Sequence, residues 1–215
     1  MTPSTPDVAA MRQEYADTPL RESSLAPDWP TQFGAWLADA VAAGLPEPNA
    51  MVLATADPTG RPSARTVLLK GYGPSGFVFF TNYTSRKATE LDGNPYASVV
   101  FLWLPLHRQV VVCGRVARTD RATTEDYFAT RSRDSQLGAW ASPQSQVVAG
   151  RATLDDALAA TATRFPDGVP APPHWGGYEL APETVEFWQG RTGRLHDRLR
   201  YRWADGSWVV ERLGP

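Results

Sequence analysis

Cysteine is almost absent from the chain: the 215 residues contain one, Cys113. A single thiol excludes an internal disulfide and a thiolate metal cluster, and it fits a reducing compartment. Its setting in the apolar run VVVCG predicts a buried structural thiol rather than a nucleophile. Charge of one sign is lacking too. Lys+Arg 21 against Asp+Glu 23 leaves a formal net charge of -2, so no global basic field recommends nucleic acid or an anionic membrane as partner. Any anion must therefore be bound locally. No uncharged apolar run reaches membrane-spanning length, and the opening MTPSTPDVAAMRQEY lacks a cationic start followed by an apolar core; a soluble, cytoplasmic protein is expected. There is no internal repeat, no GxSxG, no Walker loop and no GxGxxG after a strand. The three histidines, His107, His174 and His196, lack metal-ligand spacing, so neither a metal site nor triad hydrolysis is expected.

What is present is a run of short β-rich segments after one amphipathic helix. Residues 1–10, rich in Pro, Thr and Ala, read as a mobile tail, and 11–215 as a single domain. From Trp29 to Ala43, Phe33, Trp36, Leu37, Ala40 and Val41 recur at helical spacing, with Pro30 and Thr31 suited to the start and Gly44 to the stop. Then MVLATA, SARTVLLKGY and FVFFTN, separated by DPTG and GPSG, read as a β-meander. Thr84 or Ser85 can cap a short helix through Leu91 before YASVVFLW and RQVVVCGRVART resume the sheet. Helices are expected at Thr123–Thr130, around Gln136–Ala141 and at Arg151–Phe165, and strands return in GGYEL, TVEFWQG and a C-terminal hairpin turning at Asp205-Gly206. Seven or eight antiparallel strands with short turns predict a mainly β fold, a closed or partly closed barrel with helices packed outside.

Several clusters can bind an anion. In SARTVLLK, strand alternation puts Arg65 and Lys70 on opposite faces unless a bulge intervenes, and two charges ending an apolar strand are a sufficient account of that piece alone. In TSRKA, Ser85, Arg86 and Lys87 lie at a helix start, where free N–H groups and cations can surround a phosphate. Tyr127, Arg131 and Ser135 are four apart and would share a face of a continuing helix, suiting a phosphomonoester; a solvated face with Arg131 paired to Glu125 or Asp126 fits equally. Gln109 can contact a heterocycle through its amide or simply end a strand in water, and Trp188 can stack on a planar ligand or fill core. In WQGRTGRLHDR, an extended RLHDR places Arg194, His196 and Arg198 on one face and Leu195 and Asp197 on the other. Such a face calls for an external anion unless Glu186 or Glu211 on neighbouring strands neutralises it.

The set RTVLLK, TNYTSRKA, RQVVVCG, RDSQLGAWASPQS, HWGG, EFWQG and RLHDR resembles the pyridoxamine 5'-phosphate oxidase family, in order, from about Met11 to the terminal ERLGP. The resemblance implies an FMN-binding split β-barrel, antiparallel, working as a homodimer with FMN at the interface and each site built from both chains. It implies FMN contacts at Arg65, Thr66, Val67, Leu68, Leu69, Lys70, Phe80, Thr81, Arg86, Lys87, Gln109, Gln144, Ser145, Trp188 and Arg198, with Arg65, Arg86 and Lys87 chiefly on the phosphate. The substrate's phosphate would be held by Lys70, Tyr127, Arg131 and Ser135. Arg194, Leu195 and His196 would meet the pyridine ring, with Arg194 and His196 catalytic and helping with the proton on the amine or alcohol, and Arg12 to Tyr15 would close as a lid. The implied reaction is oxidation of pyridoxamine 5'-phosphate and pyridoxine 5'-phosphate to pyridoxal 5'-phosphate, with O2 as acceptor, giving H2O2 and, from the amine, ammonia. Phe80 stands where the family often has tyrosine, so a phenol hydrogen bond there is lost and a main-chain contact is kept. Two rivals differ in class: a split-barrel reductase acting on another substrate, which has no need of Tyr127, Arg131 and Ser135 together with RLHDR, and a non-enzymatic flavin- or pyridoxal-phosphate-binding module.

Overall fold

The computed structural model describes residues 7–11, 14, 15 and 18–215; Arg12 lies outside them. Helix α1 spans Trp29–Ala42. Asp28 caps it by accepting the Thr31 N–H at 2.8 Å, and Gly44, at φ +67°, ends it where a left-handed residue is needed. The helix buries Trp29, Phe33, Trp36 and Ala40, whereas Val41, expected on the apolar face, is 60% exposed.

The strands follow as β1 (Ala50–Ala56), β2 (Pro62–Leu68), β3 (Gly71–Gly73) and β4 (Gly76–Asn82), then helix α2 (Arg86–Gly93). Next come β5 (Tyr96–Trp103) and β6 (Arg108–Arg118), and the helices α3 (Arg121–Ala129), α4 (Arg133–Ala141) and α5 (Arg151–Arg164). The chain ends with β7 (Trp175–Gln189), β8 (Asp197–Ala204) and β9 (Ser207–Arg212). Among the described residues all nine strands form one antiparallel sheet in the order β2-β1-β5-β6-β7-β4-β3, with β8 on β7 and β9 on β8. That is more than the seven or eight expected, because Leu69 and Lys70 separate β2 from β3. GGYEL and TVEFWQG, by contrast, run on through Pro182 as one strand. No pairing joins β2 to β3 among the described residues, so the barrel is open rather than closed.

One edge of β7 pairs with β6 over 178–189, while the other pairs first with β4, over 175–180, and then with β8, over 184–189. The change of partner sits beside a register shift at Cys113/Gly114. Gly114 is required there: a Cβ would overlap the Ala181 carbonyl oxygen and crowd the Pro182 Cα, both main-chain atoms. Gly114→Ala is expected to destabilise the fold by about 2 kcal/mol, read as a melting temperature lower by several degrees.

Under the sheet, Trp29 stacks on Phe77 at 4.9 Å, and Phe33 meets Phe77 and Phe101 edge-on at 5.0 and 4.9 Å. Each such buried ring contributes roughly 2–3 kcal/mol relative to exposure. Arg108 fastens α1 to the sheet, lying 4.5 Å over Trp36 and pairing with Asp39 at 2.6 Å. Cys113 is exposed, not buried: alternation along β6 sends Val110 and Val112 into the core and the thiol outward, 3.5 Å from the Ser98 hydroxyl. No helix among the described residues is long and apolar enough to cross a membrane.

Candidate functional site

Strand β2 and the start of α2 bring three cations together over one buried carboxylate. Glu90, 5% exposed, accepts hydrogen bonds from Thr55 at 2.5 Å, Ser63 at 2.6 Å and Arg86 at 2.8 Å, and Arg65 lies 3.3 Å away. Burial pushes the Glu90 carboxyl up, but the bonds from Ser63, Thr55 and Arg86 outweigh it and hold the group at about 2. Arg65 is pinned further by the Leu53 carbonyl, the Thr55 hydroxyl at 2.6 Å and Ser63. Lys87 is buried behind it, donating to Thr81 at 2.9 Å, Ser85 at 3.2 Å and Gln144 at 2.9 Å. Burial, and then the charge of Arg65, push its ammonium down to about 8. Ser85 stands at the α2 N-cap but its side chain does not cap the helix; it faces Lys87 instead. The first-turn N–H groups of α2 thus stay available to an anion.

These groups border a cavity of about 800 Å³, lined by Arg65, Thr66, Val67, Leu68, Lys70, Phe80, Thr81, Arg86, Lys87, Tyr127, Arg131, Ser135, Gln144 and Ser145. Every one of these was singled out in the sequence. Arg65 and Lys70 reach the same cavity because β2 stops at Leu68 and Lys70 hydrogen-bonds instead to the Val78 carbonyl. Leu69 does not join them; it is buried in the core. Tyr127, Arg131 and Ser135 do not share one helix, since α3 stops at Ala129 and Ser132 caps α4, yet the break still turns all three to the cavity. Arg131 is unpaired with Glu125, which binds Arg121, and it lies 4.6 Å over Trp175 with one N–H on the Ser135 carbonyl at 2.9 Å. Burial lowers its tendency to hold charge, as it does for Arg65. Phe80 stacks on both Tyr127, at 4.1 Å, and Trp175, at 5.5 Å, and those two rings stand 6.2 Å apart. Ser63, Ala64, Ser132 and Trp175 also line the cavity and were missed, as was Glu90 beneath it; only the HWGG motif pointed at Trp175.

A second cluster forms at the far end of β7. Gln109 pairs with Trp188, and Trp188 with Arg198, across neighbouring strands. Tyr15 packs on His107, Trp188 and His196 with centroids 4.5, 5.9 and 5.6 Å away. Tyr15, Arg194 and His196 line a cavity of about 630 Å³ with Met11, Glu14 and Arg191 to Gly193, while Leu195 projects outward, 74% exposed. RLHDR is not one extended strand. Thr192–Arg194 forms a 3-10 turn, with Gly193 and Arg194 at φ +62° and +61°, and β8 begins only at Asp197. Arg198 does not wait for an external anion either, because Glu186 pairs with it at 2.7 and 3.0 Å. Glu211 serves Arg200 and Arg202 instead.

Within one chain the two clusters lie towards opposite ends of β7. Phe80 pairs with Gly177 and Gln109 with Trp188, 11 residue steps apart along β7, or roughly 36 Å of strand. No His/Cys/Asp/Glu group that could hold a metal occurs among the described residues.

Residues 37–165 match the family model described as pyridoxamine 5'-phosphate oxidase, and 175–215 that of the pyridoxine 5'-phosphate oxidase C-terminal dimerisation region. Curated relatives named pyridoxine/pyridoxamine 5'-phosphate oxidase include one from Salinispora arenicola, 65% identical over 100% of this chain and 99% of its own. Another, from Frankia alni, is 57% identical over 99% and 91%. Among solved structures, PhzG from Burkholderia lata 383 in complex with tetrahydrophenazine-1-carboxylic acid is 32% identical with a TM-score of 0.87, covering 93% of this chain and 98% of its own. A pyridoxamine 5'-phosphate oxidase-related, FMN-binding protein from Nostoc punctiforme, 21% identical with a TM-score of 0.69 over 89% and 100%, shares the fold. The open, mainly antiparallel sheet with flanking helices is therefore a split barrel of the FMN-binding type, and the chain belongs to the pyridoxamine 5'-phosphate oxidase family.

Proposed function

We propose that the protein oxidises pyridoxamine 5'-phosphate and pyridoxine 5'-phosphate to pyridoxal 5'-phosphate in an FMN-dependent reaction, with O2 as acceptor and H2O2 as by-product. The observation that carries this reading is the division of the family's contact set. A cation-lined cavity of about 800 Å³ and the Arg194–His196 loop stand at opposite ends of β7. A homodimer that lays one chain's loop against its partner's cavity completes two identical sites.

The donor chemistry fits FMN. Arg65, Arg86, Lys87 and the α2 N-terminus offer a phosphate several charge-assisted bonds in a partly buried setting. Thr66 to Lys70, Phe80, Thr81, Gln144 and Ser145 flank the remainder, and Gln109, Trp188 and Arg198 come from the partner. Bound FMN supplies the two-electron acceptor. The chain supplies orientation: Lys70, Tyr127, Arg131 and Ser135 hold the substrate phosphate, and the partner's Arg194 and His196, with Leu195 between them, meet the pyridine ring. Anchoring a rigid ring at its phosphate end converts binding energy into alignment of the reacting carbon. Tyr15, packed on His196 and Trp188, supports a covering role for the N-terminal segment.

The test is to purify the protein, record its flavin absorbance and follow aldehyde formation from both phosphates in air. Yellow protein with oxygen uptake on either substrate is expected; a colourless protein that stays inactive after FMN addition contradicts the reading.

Lys87 gives a pH signature. Its ammonium lies at about 8, below the ordinary 10.5, so without ligand the unfolded chain binds more protons in that window and stability rises with pH across it. A bound phosphate favours the charged form, so FMN affinity is expected to fall as pH rises through about 8. Riboflavin, lacking the phosphate, should show no such slope in a fluorescence titration, and equal slopes for both would contradict the assignment of Lys87.

A further inference from the structure

His196 is held from behind by the main chain. Its Nδ1 lies 3.1 Å from the Arg191 N–H, which can only donate. A ring nitrogen that accepts a hydrogen bond carries no proton, so in this geometry the neutral imidazole bears its hydrogen on Nε2. The ring is packed against Trp188 at 4.6 Å and Tyr15 at 5.6 Å, at the edge of the cavity that Arg194 also lines.

The Arg191 side chain is tied to Asp197. Its carboxylate accepts from the Arg191 guanidinium at 2.9 Å, from the Leu20 N–H at 3.0 Å and from Arg212 at 2.6 Å. Arg212 in turn binds Glu22 and the Leu20 carbonyl. One carboxylate, little exposed, thus ties the segment after the N-terminal cover, the turn bearing Arg194 and the last strand to a single point. The turn needs such an anchor, since two successive residues, Gly193 and Arg194, sit in the left-handed region.

We propose that Asp197 is a positioning residue that acts through Arg191 to hold His196 as the neutral Nε2–H tautomer, so that the imidazole meets its ligand as a hydrogen-bond donor and not as a proton acceptor. The proposal rests on the reading that His196 faces the substrate, and it changes the role that composition alone gives a histidine. The aspartate of RLHDR, which touches neither cavity, sets the chemistry of the histidine beside it.

The experiment is nitrogen-15 NMR of the holoenzyme labelled at histidine, with His196→Asn identifying the His196 signals among the three histidines. In the neutral form, a protonated Nε2 and an unprotonated Nδ1 are expected. Asp197→Asn should mix the tautomers and raise KM for pyridoxamine 5'-phosphate by about 10-fold, the loss of one well-formed charged contact, with FMN affinity unchanged. Arg191→Gln breaks the same clamp from its other end while leaving Leu20 and Arg212 on Asp197, so it gives the answer if Asp197→Asn folds poorly. An Nδ1–H tautomer in the unmodified protein overturns the proposal, and so does a wild-type tautomer and KM in both variants. The NMR result does not depend on turnover, so absence of oxidase activity would overturn the functional reading while leaving the tautomer to be read.

Discussion

Glu90→Ala is expected to lower the free energy of unfolding by about 3 kcal/mol, because removing one partner of a buried ion pair leaves the other charge uncompensated. Among the described residues the carboxylate is the one anion paired with Arg65 and Arg86, and it also accepts from Thr55 and Ser63. Its loss takes the acceptor from both hydroxyl protons and leaves two guanidiniums without their shared counter-charge. Urea denaturation measures the effect, and a change below about 1 kcal/mol would show that the network is dispensable. A pH dependence accompanies it. The folded carboxyl titrates at about 2 against an ordinary 4.5, so its contribution is fully present above the ordinary value and fades as pH falls through the folded one. Glu90→Gln should flatten stability between those limits.

Arg131→Ala is expected to raise KM for pyridoxamine 5'-phosphate by about 10- to 100-fold while changing kcat little, the signature of lost uniform binding. The guanidinium is already fixed before any ligand arrives, by Trp175 at 4.6 Å and by the Ser135 carbonyl at 2.9 Å. Little rotamer entropy remains to be lost on binding. Burial disfavours its charge, which leaves an anion as the natural complement. Arg131→Lys should recover only part of the loss, because an ammonium neither stacks on the indole nor spans two phosphate oxygens. Steady-state kinetics on the phosphorylated substrate decides it; an unchanged KM would remove Arg131 from the substrate-binding set.

Local pattern in the sequence carried much of this. Helix α1, the β-meander and the hairpin at Asp205-Gly206 follow from periodicity and turn residues, and the cations at 65, 70, 86, 87 and 131 were visible as clusters. Glu90 was not, because in sequence it is only an i,i+4 partner of Arg86 on a short helix. Its burial comes from Thr55, Ser63 and Arg65, 25 to 35 residues away. RLHDR departs from strand periodicity because Gly193, just before it, and Arg194, its first residue, turn left-handed, which no alternation pattern encodes. VVVC read as core because apolar runs usually are, yet alternation sends every second residue of an open sheet outward. The separation of the two clusters along β7 depends on pairing between residues 97 and 79 positions apart, Phe80 with Gly177 and Gln109 with Trp188, which no local pattern encodes.

In the proposed homodimer each site joins the cavity of one chain to the loop of another. Two variants test it, one carrying Lys70→Ala and Arg131→Ala, the other Arg194→Ala and His196→Ala, each inactive alone. Co-expressed with different tags and purified as the mixed dimer, they leave one site with both halves damaged and one with both intact. About half of wild-type activity is expected for that mixed dimer. A mixed dimer as inactive as its parents would show that each chain builds its own site.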